Sequence, residues 1–317
     1  MTLYCEESLT AEQEAHIRQV APAARVISAR DLALEPGLIG EIEVSYGHLP
    51  AELWPKATGL RWMQSSLAGL DALLQDEAIR DHPATLTNVH IHASSISEHL
   101  WGMCLMLTRN LHTAVLAQGS HAWDREAMIR GLGNLHGRTL CVVGLGEIGR
   151  RCAAIGKAFG MKVIGIRRKG AWGPPAPEAD RIIGPADRLS AFSESRVIMV
   201  VLPHTTETVH FIGRKELLAM DSAYLLNAGR GSSVDTDALV EALRAGKVRG
   251  AGLDVTDPEP LPSSHPLWSM SNVIITPHYA GIHPGYDAEA FAVFIDNLAR
   301  YIGGRPLANV VDKTRGY

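Results

Sequence analysis

The chain has 317 residues, 46% apolar and 20% charged, with a net charge of −4. That length suits two domains of ordinary size, and the composition is that of a soluble globular protein. The charge gives no global reason to expect nucleic acid or an acidic membrane surface as a partner. Four cysteines, Cys5, Cys104, Cys141 and Cys152, form no CxxC pair and no metal spacing, and fit a reducing compartment. The N-terminal stretch lacks the basic and apolar regions of a signal peptide. The most apolar helical run, residues 100–107, is too short for a bilayer, which takes about 20 residues. The expected location is the cytoplasm, with no membrane and no nucleic-acid partner.

Strand and helix patterns alternate along the chain, which predicts α/β layers with parallel sheets. Short apolar runs recur at Arg25–Ser28, 42–44, 60–64 and 85–88, separated by polar, Pro- and Gly-bearing segments. Ser95-Ile96-Ser97-Glu98 matches a capping box and predicts a helix over about 96–118. Its first half is apolar on nearly every face, so it is expected to be buried between layers or domains. A second series of strands is predicted at Thr139–Val143, Lys162–Ile166, 197–202, Ala223–Asn227, 250–255 and 273–276. Residues 171–180 (AWGPPAPEAD) read as a Pro-rich surface loop. A last helix over about 284–302 returns to the first domain. The expected division is 1–96 with 286–317, and 97–285.

Gly144-Leu145-Gly146-Glu147-Ile148-Gly149 is G-x-G-x-x-G after a strand and before a helix. The first glycine permits the tight turn, the second a close approach of backbone to a pyrophosphate, the third close helix–strand packing. The helix N-terminus adds free N–H groups and partial positive charge. In this context the motif points to dinucleotide binding. Arg150 reads equally as a pyrophosphate contact or a solvated helix-face arginine. An NAD site of this kind places a carboxylate about 20 residues on, for the ribose 2′-hydroxyl. Here the second strand ends at Ile166 and is followed by Arg167, Arg168 and Lys169. Three cations with no carboxylate among them point to the 2′-phosphate of NADP(H), with NAD(H) possible. The other reading is a solvated basic turn.

Three further stretches fall at strand ends, where open α/β sheets place their ligands. They are Asn227-Ala228-Gly229-Arg230-Gly231, then residues 252–261 (GLDVTDPEPL), then Thr276-Pro277-His278-Tyr279-Ala280-Gly281. With the glycine loop, and with residues 60–71 and 88–107, they resemble the D-isomer-specific 2-hydroxyacid dehydrogenase family over nearly the whole chain. Within it the chain is most similar to the glyoxylate/hydroxypyruvate reductase group. The resemblance implies two doubly wound parallel-sheet domains, a Rossmann cofactor domain inserted in a flavodoxin-like substrate domain. It also implies a homodimer and a small 2-oxoacid or D-2-hydroxyacid substrate.

The family's residues carry over one by one. Reducing a 2-oxoacid needs an anchor for its carboxylate, a polariser for its carbonyl and a proton donor. Arg230 offers a planar fork for the carboxylate and carbonyl oxygen. His278 is the expected proton donor in reduction and base in oxidation. Glu259 is expected to pair with His278 and favour its protonated form. Residues Ser66, Leu67, Ala68 and Gly69 match the loop whose backbone N–H groups bind the substrate carboxylate, although an ordinary strand-to-helix turn reads the same way. Asp254 matches an aspartate near the nicotinamide, with a strand-end cap as competitor. Pro203 and Thr205 match a cofactor-lining turn, and His204 takes no role. Tyr46 and Tyr279 read either as pocket lining or as packing. His90, His92 and His99 show no metal pattern and read as structural, so no metal is expected. The rival function on the same fold is a dinucleotide-sensing, corepressor-like binding protein, which the Arg230, Glu259 and His278 set disfavours.

Overall fold

The computed structural model describes residues 1–173 and 175–316. The chain forms two compact units, residues 1–91 together with 283 onward, and residues 92–282.

The first unit opens with β1 (Thr2–Cys5), α1 (Ala11–Val20), β2 (Arg25–Ser28), α2 (Ala29–Leu34), β3 (Ile42–Tyr46), β4 (Trp62–Gln64), α3 (Glu77–Arg80) and β5 (Thr85–Thr87). Its five strands are all parallel, in the order β2-β1-β3-β4-β5. That is the flavodoxin-like 2-1-3-4-5 order. β1 and α1 are absent from the predicted elements. β1 is only four residues long, and α1 buries only Ile17, so neither carries a strong hydrophobic period. The Thr10–Gln13 capping box marks the start of α1 instead.

The second unit contains α4 (Ala93–Thr108), α5 (Leu111–Gly119), α6 (Arg125–Ile129), β6 (Thr139–Val143), α7 (Glu147–Ala158), β7 (Lys162–Ile166), β8 (Arg181–Ile183), α8 (Arg188–Glu194), β9 (Val197–Val200), α9 (Arg214–Ala219), β10 (Ala223–Asn227), α10 (Thr236–Arg244), β11 (Val248–Leu253) and β12 (Val273–Ile275). Its strands are ordered β12-β11-β10-β9-β6-β7-β8. Counted from β6 this is the Rossmann order 3-2-1-4-5-6 with one more strand beyond it. β9 and β10 are buried along their whole length, as central parallel strands covered on both faces must be. The three-residue edge strand β8 went unpredicted. The chain then returns to the first unit as α11 (Tyr286–Ile302).

Two features depart from expectation. Ser95 does not cap α4, which begins at Ala93 with His92 as its N-cap. The Ser95 hydroxyl donates to the carbonyls of His92 (3.2 Å) and Gly281 (3.1 Å), and Glu98 accepts from Ser94 Oγ. The whole of α4 therefore belongs to the second unit, where it packs on α7, β10 and β11. Nor does the helix run on to 118. Asn110 adopts a left-handed conformation (φ 54°) and separates α4 from α5. Its side-chain amide donates to the carbonyls of Met128 (2.9 Å) and Arg130 (3.1 Å). Asn is among the residues that tolerate this conformation.

Candidate active site

The glycine loop joins β6 to α7 beside the end of β7, and Gly144 N–H donates to the Ile166 carbonyl at 3.0 Å. Gly144 has φ 99°, and a Cβ there would lie 2.6 Å from the Val201 carbonyl oxygen. A Cβ at Gly149 would overlap the Gly144 carbonyl. Gly146 differs, because a Cβ there would meet nothing within 4 Å. The first and third glycines are thus required by the protein's own packing, while the second faces open space at the start of α7. The first main-chain bond of that helix is Arg150 N–H to the Gly146 carbonyl (2.9 Å), so the N–H groups before it remain for a ligand. This cradle fits the pyrophosphate of a dinucleotide. Leu145 is buried against Gly165, so only its backbone can serve the loop. Glu147 is exposed in the first turn and Ile148 packs partly into the core.

Arg150 pairs with Glu178 at 3.0 Å, and that hydrogen bond holds the Glu178 carboxyl below its ordinary range. Arg167 is half-buried, and its Nε donates to the Gly170 carbonyl at 2.6 Å. Arg168 and Lys169 are exposed. The turn carrying Pro203 and Thr205 is closed by Thr208, whose hydroxyl donates to the Pro203 carbonyl (2.7 Å) and accepts from Thr205 N–H (2.8 Å). His204, given no role from sequence, bonds through Nδ1 to Ser232 Oγ at 2.8 Å and ties this turn to the segment after Arg230.

Arg230 follows β10 in extended conformation and is half-buried. Its neighbours have to be glycine. A Cβ at Gly229 would lie 2.6 Å from Leu202 N, and one at Gly231 would overlap the Thr256 carbonyl. Asn227 sets the turn by donating to the Arg230 carbonyl (3.0 Å) and accepting from Gly229 N–H (3.1 Å).

His278 and Glu259 meet, with Nδ1 and Oε1 2.5 Å apart. The loop of Glu259 is closed by Thr256, whose hydroxyl donates to the Pro258 carbonyl at 2.9 Å. His278 has φ 51°. For a residue with a Cβ this conformation costs on the order of 1–2 kcal/mol and persists only where the surroundings impose it. Here Asp254 imposes it. The Asp254 carbonyl accepts from His278 N–H (2.9 Å), and its carboxylate accepts from the N–H groups of Tyr279 (3.2 Å) and Ala280 (3.0 Å). Asp254 is only 2% exposed and takes a further bond from Thr276 Oγ1 at 2.7 Å. Its carboxylate is engaged as an anchor for the His278 segment.

In the first unit, residues 66–69 form a turn held from inside. The carbonyls of Ser66 and Ala68 accept from Tyr286 Oη (2.7 Å) and Asn88 Nδ2 (2.6 Å). Leu67 N–H is taken by the hydroxyl of buried Ser65 (3.0 Å). Among the described residues no hydrogen bond engages the N–H groups of Ala68 and Gly69. Tyr46 stacks on Phe294 with centroids 4.5 Å apart, a packing role, and burial raises its phenol pKa. Among the described residues no three His, Cys, Asp or Glu side chains converge as a metal site, and no helix is long and apolar enough to cross a membrane.

Residues 101–280 match the family model of the D-isomer specific 2-hydroxyacid dehydrogenase NAD-binding domain. Glyoxylate reductase of Aeropyrum pernix is 32% identical over 274 residues, 84% of this chain and 80% of that protein. A D-isomer specific 2-hydroxyacid dehydrogenase family protein from Aeromonas salmonicida superposes with a TM-score of 0.84 at 34% identity, covering 98% of this chain and 99% of that one. The NADPH-dependent glyoxylate/hydroxypyruvate reductase of Sinorhizobium meliloti, solved with NADP and sulfate, gives a TM-score of 0.83 at 25% identity over 100% and 99% of the two chains. Rossmann cradle, strand-end motifs and relatives agree, and the chain belongs to the D-isomer specific 2-hydroxyacid dehydrogenase family. It is an oxidoreductase of 2-hydroxyacids with a nicotinamide dinucleotide as cofactor.

Proposed function

We propose that the protein reduces small 2-oxoacids to D-2-hydroxyacids, in the manner of a glyoxylate or hydroxypyruvate reductase, with NADP(H) preferred over NAD(H). The observation that carries the reading is the 2.5 Å contact of His278 Nδ1 with Glu259 Oε1 at the strand ends that also present Arg230. The nicotinamide, when bound, gives or takes the hydride. Glu259 occupies Nδ1, so the opposite nitrogen, Nε2, is the atom that passes a proton to the carbonyl oxygen as it becomes an alkoxide. The Arg230 fork binds the substrate carboxylate and polarises the carbonyl. Residues 66–69 are read as an anion-binding backbone, offering the Ala68 and Gly69 N–H groups rather than that of Leu67.

The cofactor preference rests on Arg167, Arg168 and Lys169 directly beyond β7, beside the glycine loop. Arg167 also braces the 170–173 turn, through Nε to the Gly170 carbonyl. A guanidinium–phosphate hydrogen bond contributes about 1.5–3 kcal/mol, or roughly 10- to 150-fold in affinity. Steady-state kinetics with glyoxylate and hydroxypyruvate, each with NADPH and NADH, test the reading. His278→Ala is expected to lower kcat by roughly 10²–10⁴-fold without abolishing cofactor binding. Arg167→Ala with Arg168→Ala is expected to erode the NADPH preference, chiefly in KM, and leave NADH kinetics nearly unchanged. Equal or better use of NADH by the wild-type enzyme removes these cations from cofactor selection.

The assembly proposed is a homodimer. The segment from α5 to α6 exposes Val115 (62%), Leu116 (75%) and Trp123 (96%), an apolar surface that a second copy would cover. A monomer at micromolar concentration in light scattering contradicts it.

A further inference from the structure

His99 lies on α4, 177 positions before Thr276 in sequence. Its Nε2 is 2.9 Å from Thr276 Oγ1 and 3.6 Å from Asp254 Oδ1, and its ring meets that of Tyr279 edge to face at 5.1 Å. We propose that His99 is a positioning residue for His278, acting through Thr276 and Asp254. The inference rests on the reading of His278 as the proton-transfer residue.

Hydrogen-bond direction fixes the roles. A carboxylate only accepts, so the Thr276 hydroxyl gives its proton to Asp254 at 2.7 Å. Its oxygen is then left to accept, and the donor facing it is His99 Nε2–H. The result is a one-way series from imidazole N–H to hydroxyl to carboxylate, ending on a side chain that is 2% exposed. Charge-assisted bonds of this kind are strong and directional.

The series matters because of what Asp254 holds. Three consecutive N–H groups, those of His278, Tyr279 and Ala280, are bound by its carbonyl and carboxylate oxygens. They keep His278 at φ 51°, a conformation its own backbone disfavours. The orientation of the Asp254 carboxylate therefore sets the direction in which His278 presents its ring. Without His99 the Thr276 hydroxyl loses its donor and can rotate away from Asp254, and the carboxylate loses one of the bonds that fix its rotamer. Edge-to-face contact with Tyr279 adds a second hold on the same segment. Among the described residues, the side-chain contacts of His99 are with Thr276, Asp254 and Tyr279 rather than with His278 or Glu259. Its effect is on geometry and so belongs to turnover rather than to cofactor binding.

The test compares His99→Ala, His99→Gln and Thr276→Val in the full chain, with glyoxylate and NADPH as assay pair. Glutamine returns an N–H near the position of Nε2. Expected for His99→Ala are faster hydrogen exchange of the amides of residues 278–280 and a fall in kcat of roughly 3- to 10-fold, the loss of about one hydrogen bond. NADPH affinity should stay unchanged, and His99→Gln should restore both exchange and kcat. Thr276→Val should reproduce the alanine variant, and the double variant should be no worse than the worse single one. Wild-type exchange and kcat in His99→Ala overturn the proposal. So does an equal loss in the alanine and glutamine variants, which marks a packing role, or additive losses in the double variant. His278→Ala in the same assay keeps the two readings apart. If it turns over normally, the role of His278 fails, while exchange in His99→Ala still decides whether the tether exists.

Discussion

A side chain at Gly231 would overlap the carbonyl of Thr256. The turn carrying Arg230 is thereby pressed against the loop carrying Glu259, and glycine is what lets the two backbones approach. Gly231→Ala should force them apart. The expected cost is about 1–3 kcal/mol of stability, typical of overpacking, with a fall in kcat/KM because Arg230 moves. Denaturant unfolding and steady-state kinetics on one preparation check both. A variant as stable and active as wild type shows that the loops adjust without cost.

Gly146 and Gly149 should respond in opposite ways. At Gly149 an alanine methyl strikes the Gly144 carbonyl, so Gly149→Ala is expected to lower the melting temperature with or without cofactor. At Gly146 the methyl enters open space, so Gly146→Ala should fold normally and bind the dinucleotide weakly. Thermal shift with and without NADPH separates the two.

Glu259→Gln keeps the shape of the side chain and removes its charge. A hydrogen bond to a charged partner contributes about 1.5–3 kcal/mol, so kcat should fall roughly 10- to 150-fold if the pair acts in turnover. Both side chains are substantially exposed, 49% for His278 and 40% for Glu259, so stability should hardly change. An unaltered kcat removes Glu259 from the mechanism.

All four cysteines are buried. Burial pushes the thiols of Cys5, Cys104 and Cys152 up from the ordinary 9.0 to about 12, and that of Cys141 higher still. The native protein should therefore resist thiol reagents at mildly alkaline pH and react at all four sites once denatured. The sign for stability follows from the raised pKa. The unfolded thiols ionise from about 9.0 while the folded ones stay neutral to about 12, so stability present below that range is lost as pH rises through it. Titrating unfolding free energy across this range measures it. Ready labelling of the native protein by a thiol reagent contradicts the burial.

Much of the fold is legible in the sequence. β6, β7 and β10 fall where uninterrupted apolar runs predict them, because strands buried on both faces have no polar alternation to blur their limits. β1 and β8 are not legible, because four- and three-residue strands carry too little pattern. Ser95 and Glu98 have capping-box spacing, which predicts a later start for α4, yet their side chains bond elsewhere. In the candidate site, local motifs pointed to His278 and Glu259, which stand 2.5 Å apart. The bonds of His99 to Thr276 and of His204 to Ser232 join distant stretches, and no local pattern announces such pairs. Thr208 could have been found, since Thr205 and Thr208 have the spacing of a hydroxyl-closed turn.

The first unit is closed by a helix that is synthesised only after the whole of the second unit. Phe291, Phe294 and Leu298 of α11 share a buried cluster with Leu3, Val44 and Trp62 from the opening strands. On the ribosome, residues 92–282 emerge as one continuous stretch that holds every strand of its own sheet. The early strands meanwhile wait with an apolar face uncovered until translation reaches residue 286 and beyond. Nascent chains stalled before α11 should be those most prone to stick to one another or to recruit a holdase, since transiently exposed apolar surface drives aggregation. Length of synthesis, rather than strength of the finished core, then sets the most vulnerable moment in the life of this chain.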